Sequence, residues 1–139
     1  LGVDALDLSL NGFLLLSKIS KSVVPIKQIL LNQKIIAGIG NIYASELLFN
    51  AQISPLRRGN DLNLEECKKI VSSTKKILTA AIKSGGSTLK DYVSTDGTLG
   101  NFQKKFKVYD RADKKINGQM IKKIVQYGRA TYYCPELQK

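Results

Sequence analysis

The segment LEECKKIVSSTKKILTAAIKS, residues 64–84, constrains the fold more than any other part of this chain. Cys67, Ile70, Val71, Thr74, Ile77, Leu78, Ala81 and Ile82 recur at three-and-four spacing, which predicts a helix with one buried stripe. Asn63 and Glu66 stand three apart at its start, the spacing of a capping box with Asn in place of Ser or Thr. Gly85-Gly86 gives the stop. On this pattern Cys67 is a core residue.

Shorter helical patterns precede it. DLSLNGFLLLSKIS, from Asp7, carries Leu10, Phe13, Leu14 and Ile19 at near-helical spacing, with Asp7 or Ser9 as the expected cap. Pro25 opens PIKQILLNQ, since proline suits the first helical turn. NIYASELLFNAQ predicts a third helix with Asn41 as its N-cap and with Ile42, Ser45 and Phe49 on one face. Pro55 and the RRGN after it read as a loop, and STLKDYV as a further short helix.

The text changes at STDGTLGN, a turn-rich linker. Alternating runs follow: FKVY, MIKKIVQY and ATYY, with Asn117-Gly118 between the first two as a hairpin signal. The expected fold class is mainly α, a helical bundle followed by a small C-terminal β-hairpin. The expected divisions are 1–94, a linker or loop region at 95–104, and the hairpin at 105–139.

Charge narrows the partners. The chain has 139 residues with 22 Lys+Arg against 11 Asp+Glu, a net +11. From Phe102 to Lys139 there are 10 basic residues and 3 acidic ones, so the excess is concentrated at one end. A polyanion is implied, nucleic acid before an acidic membrane surface. No apolar run reaches the roughly 18 residues of a membrane span, and nothing resembles a signal peptide. The chain begins with Leu1, which fits a piece of something longer. Cys67 and Cys134 are the only cysteines and histidine is absent, so neither a disulfide framework nor a zinc quartet is available, and a reducing, intracellular setting is expected.

The stretch KIIAGIGN then raises a specific question. Gly38 and Gly40 precede Asn41 and a helix, as in a dinucleotide-binding turn, but that fingerprint wants a third glycine where Tyr43 stands. No Walker lysine is present either. Two readings remain open: glycines that only turn the chain, or a helix, two turns and a second helix whose N-terminus meets a phosphate. In the second, the Asn41 amide and Lys27, 14 residues upstream, serve the same phosphate.

PIKQILLNQKIIAGIGNIYASELLF, followed by ISPLR, GGSTLKDY, DGTLGNFQKKFKVYDR and GRATYYCP in that order, resembles the formamidopyrimidine-DNA glycosylase (Fpg/MutM) family. The resemblance runs over essentially the whole chain. It implies a helix-two-turn-helix module followed by a finger, and damaged-DNA binding in base-excision repair. The family removes oxidised purines (8-oxoguanine, formamidopyrimidine) and cuts at the abasic site, after flipping the damaged base out of the stack. The DNA-binding residues implied are Lys27, Gly40, Asn41, Ile42, Tyr43, Lys90 and Arg129. Arg129 is placed at the hairpin tip, gripping a phosphate and serving the second elimination step. Lys90 is placed at the edge of the loop over the flipped base, and Glu46 supports the fold and turns. The partner implied is double-stranded DNA with oxidised purines or abasic sites, with no membrane, for a monomer in a bacterial cytoplasm at the nucleoid.

Two departures qualify this. The family's nucleophile is an N-terminal proline followed by glutamate on a β-rich domain, which this sequence does not contain; the chain alone is expected to bind without efficient catalysis. The family's finger carries two Cys-x-x-Cys pairs. Here only Cys134 remains, with Leu137 in its partner's place, and one ligand cannot hold zinc, so no metal or other cofactor is expected. Val108, Ile121, Ile124, Val125, Tyr132 and Leu137 are expected to hold the hairpin, with Tyr127, Tyr132 and Tyr133 packing in it rather than stacking on nucleic acid. The rival readings are an RNA-binding helix-two-turn-helix module of ribosomal-protein type and a non-catalytic interaction domain.

Overall fold

A computed structural model describes residues 1–84 and 106–139. The expected short helix at STLKDYV, the linker at 95–104 and the division points around it lie outside the described residues. The chain order is β1 (Val3–Asp4), α1 (Gly12–Ile19), α2 (Ile26–Leu31), β2 (Ile36–Ala37), α3 (Asn41–Ala51), α4 (Leu64–Lys83), β3 (Lys115–Ile116), β4 (Gln119–Met120), β5 (Lys122–Gln126) and β6 (Arg129–Tyr133), with a 3-10 turn at Gly59–Asp61. The fold is therefore mainly helical with small strand pairs at its C-terminal end.

α4 forms as its pattern predicts. Asn63 Oδ1 accepts the Glu66 N–H at 2.8 Å and the Glu66 carboxylate accepts the Asn63 N–H at 3.1 Å, completing the capping box. Its stripe packs on α1 and α3. Cys67 is fully buried, and burial pushes its thiol up to about 11, so it is an inert core residue. Ile82 departs from the pattern and is exposed.

α1 starts later than expected. Asp7 is consumed in a local turn, its carboxylate accepting the Ser9 N–H and its carbonyl the Leu10 N–H; Asn11 caps instead, accepting from Leu14 at 2.8 Å. Phe13 consequently points outward, where the Lys68 ammonium lies 5.3 Å from its ring centre. Between α2 and α3 the Gln33 side chain ties the turns, accepting from Gly38 N–H and donating to the Leu31 and Ile39 carbonyls. β1 and β2 pair in parallel there, a contact the sequence pattern did not anticipate.

The finger also departs from expectation. FKVY is not a strand: the N–H groups of Lys107, Val108 and Tyr109 donate to the Glu46 carboxylate at 2.6, 3.0 and 2.8 Å, leaving nothing for a ladder. Asn117-Gly118 does make a hairpin, with both residues at positive φ, but between the two-residue strands β3 and β4. The main hairpin is β5–β6, closed by Tyr127-Gly128, with Gln126 opposite Arg129 and Ile124 opposite Thr131. Val108, Ile121 and Tyr132 form its buried cluster against Phe49 and Tyr109. Ile124 and Leu137 are half-buried, and Val125 is exposed because its alternation places it on the outer face. Tyr132 and Tyr133 pack inward as expected, while Tyr127 is exposed. Among the described residues no helix is long and apolar enough to cross a membrane.

Candidate nucleic-acid interface

Three elements meet at the N-terminus of α3. Gly40, not Asn41, is the N-cap, and Asn41 is the first helical residue with no capping bond. Its side chain is engaged elsewhere. Lys27, from α2, donates to Asn41 Oδ1 at 2.6 Å, to Thr131 Oγ1 at 2.7 Å and to the Ala130 carbonyl at 3.2 Å. Asn41 Nδ2 donates to the same Ala130 carbonyl at 3.1 Å.

Lysine is donor-only, so the contact with Lys27 decides which end of the Asn41 amide is oxygen. The NH2 is therefore the end left to serve both Ala130 and an anion. Arg129 precedes Ala130 on β6 and alternates onto the face of Thr131, which is turned to Lys27.

The Lys27 ammonium has three N–H bonds and all three are used internally, with 1% of the residue exposed. In this arrangement Lys27, expected to grip a phosphate, orients Asn41 and fastens β6. Burial lowers its pKa to about 8, and the positive Arg129 nearby adds to the shift. A buried cation beside a second cation, with neutral acceptors only, is an arrangement that an incoming anion relieves.

The glycines separate here. Gly38 sits at φ +107 and is required by the turn itself; Gly40 does not have positive φ, and a Cβ built on it would meet nothing within 4 Å. Glycine at 40 suits its place as the N-cap of α3, and the space beside it is open, so the amide end of the helix is approachable.

The remaining site residues fall around this cluster. Ile42 is half-buried, packed against the helical core. Tyr43 is buried, meets Phe106 edge-on at 6.3 Å, and its hydroxyl is pushed up to about 12 by burial and then by Glu46. Arg129 is exposed. Lys90 lies outside the described residues. Glu46 is the residue whose role was understated: 5% exposed, it clamps the start of the finger to α3. Burial raises its carboxyl pKa, and the three N–H bonds and Lys107 pull the other way. Only a contact across some 60 residues reveals this, and no local pattern encodes it.

Of the four cysteines expected in a zinc-bearing finger of this kind, the sequence has Cys134 alone. Cys134 is buried, its N–H donating to Gln138 Oε1 at 2.7 Å while Gln138 Nε2 donates to the Ile53 carbonyl at 3.0 Å. Arg57 adds a bidentate pair with Glu66 and a bond to the Lys139 carbonyl. Among the described residues no three His, Cys, Asp or Glu side chains gather.

Comparison with known proteins agrees with this geometry. Residues 1–93 match the H2TH domain of formamidopyrimidine-DNA glycosylase. The formamidopyrimidine-DNA glycosylase of Wolbachia sp. subsp. Brugia malayi is 46% identical over 139 residues, covering 99% of this chain and 51% of that protein. That of Zymomonas mobilis is 45% identical over 140 residues, covering 100% and 52%. The Lactococcus lactis Fpg in complex with DNA containing an abasic site superposes with a TM-score of 0.87 at 35% identity, covering 100% of this chain and 52% of that one. The chain thus spans about half the length of the relatives it matches. With a family domain matched over most of its residues and the finger matched beyond it, the chain belongs to the formamidopyrimidine-DNA glycosylase family.

Proposed function

We propose that these residues form the damaged-DNA grip of a base-excision repair glycosylase and AP lyase acting on oxidised purines. The observation that carries this reading is the convergence of Lys27, Asn41 and Arg129 from three elements on the open N-terminus of α3. Asn41 and Arg129 contact phosphates beside the lesion, and Lys27 contributes charge and orientation; Ile42 and Tyr43 brace the helix start, and Lys90 serves the loop over the extruded base. Similar proteins solved on abasic-site DNA and on DNA containing FAPY-dG support the choice of ligand. Contacts of this kind go to backbone and not to base edges, so binding is indifferent to sequence and steeply salt-dependent. The RNA-binding reading has no support in these matches, which continue through the finger.

Excision needs a nucleophile, in this family the free amine of an N-terminal proline followed by glutamate; the one Pro-Glu pair in these 139 residues, Pro135-Glu136, is internal, its proline nitrogen an unreactive amide. They bind as a monomer and do not excise alone; Arg129 assists elimination in the complete protein. The finger works without metal, held by Glu46, Gln138 and the Val108 cluster. The proposed division remains a helical unit and a finger.

Asn41→Ala and Arg129→Ala should each weaken binding to a duplex with a central abasic analogue by about tenfold, as expected for a charge-assisted phosphate contact. Lys68→Ala, on the far side of α4, should change it little. Equal effects from all three in an anisotropy titration would refute the grip.

A further inference from the structure

The β5–β6 tip contains a residue that the fold does not explain. Tyr127 is at φ 51, in the left-handed region, and Gly128 follows at φ 77. These are the angles of a two-residue hairpin turn that favours Asn-Gly. The same chain uses that pair in the β3–β4 turn, where Asn117 and Gly118 have φ 50 and 78. A bulky side chain in this region is an outlier. Nothing in the packing compensates for it: Tyr127 is 64% exposed, and among the described residues no ring contacts it. Tyr132 and Tyr133, by contrast, are buried.

Its position is specific. Tyr127 is two residues from Arg129, so an exposed aromatic side chain adjoins an exposed cation at the tip. Two residues of chain span at most ~7 Å, about two steps of ~3.4 Å along one strand, so the ring reaches a base close to the phosphate that Arg129 meets.

Building on the function proposed above, we propose that Tyr127 is a DNA-contacting residue whose ring stacks on an unstacked base next to the phosphate held by Arg129. An aromatic face accepts any base, so this contact adds lesion preference without sequence preference: a missing or extruded base leaves its neighbour's face open. The strained turn is kept because it presents that ring.

The test is Tyr127→Asn, which gives this turn the Asn-Gly pair of the other. Relieving the turn should leave the melting temperature of the chain unchanged or higher. Affinity for an abasic-analogue duplex should nevertheless fall by about fivefold or more, the lower end of a base–aromatic stack. Affinity for the intact duplex should hardly change. Tyr127→Phe should retain the wild-type values. With 2-aminopurine beside the abasic analogue, the unsubstituted chain should quench its fluorescence and Tyr127→Asn should not. Wild-type affinity and quenching in Tyr127→Asn would overturn the inference while leaving the phosphate grip intact. An unsubstituted chain that does not prefer the abasic duplex at all would overturn both.

Discussion

Glu46→Ala is expected to be among the most damaging substitutions in this chain, costing on the order of 3–5 kcal/mol, the range for removing one partner of a buried charged network. The carboxylate accepts three backbone N–H groups in succession, and Val108, the middle one, is fully buried. Truncation leaves those donors without their acceptor, and the Val108 N–H is buried away from water. It also unfastens the point where the finger joins α3, so Arg129 loses its registration with Asn41. Thermal melting should fall by roughly ten degrees or more. Amide exchange at residues 107–109 should accelerate ahead of exchange in α4. Glu46→Gln should be intermediate, because its amide oxygen can replace the acceptor that serves Val108 and Tyr109 while its NH2 faces the Lys107 N–H. Unchanged exchange at 107–109 in Glu46→Ala would count against the clamp.

Lys27→Met separates stability from binding. The methionine fills a similar volume and removes a buried cation that has no carboxylate beside it, which offsets the loss of the donor to Asn41 and Thr131, so the net change in folding near neutral pH should stay below about 3 kcal/mol. Binding to an abasic duplex should fall about tenfold or more, because the site loses a positive charge and the Asn41 amide loses the contact that orients it. The pH dependence has a definite sign. The folded pKa of Lys27 is about 8 against 10.5 for the ordinary group, so the unfolded chain binds the proton more tightly. Stability from this group therefore rises as pH climbs from about 8 towards 10.5, and is missing below that window. The melting temperature of the wild type should gain on that of Lys27→Met between pH 8 and pH 10. The charged group beside the cluster is Arg129, whose positive charge adds to the lowering of the Lys27 pKa. Parallel pH curves for the two chains would contradict a buried, proton-burdened Lys27.

The local parts of this structure were legible in the sequence. The Asn63–Glu66 box, the stripe carrying Cys67 and the Asn117-Gly118 turn each follow from side chains a few residues apart, where helix period or turn geometry dictates the outcome. The family was also legible, through the motifs around Asn41 and Arg129. The misreadings share a cause: a polar group spent on a distant or unanticipated partner. Asp7 closed its own turn instead of capping α1, so Phe13 rotated outward. Phe106–Tyr109 looked like a strand by composition, but its N–H groups go to Glu46. The partners of Lys27 were not legible either: Thr131 and Ala130, more than 100 residues along the chain, use its donors. Pairings at such separation leave no trace in hydrophobic periodicity.

In the function proposed here, α2, the start of α3 and the hairpin tip form one lesion-DNA grip. It is tested most directly by anisotropy titration of the chain against two duplexes differing only in a central abasic analogue, at two salt concentrations. Tighter binding to the abasic duplex, falling steeply as salt is raised, is the result this account predicts. Equal affinity for both duplexes at low salt would contradict it, and would reduce the net +11 charge to a nonspecific attraction for DNA.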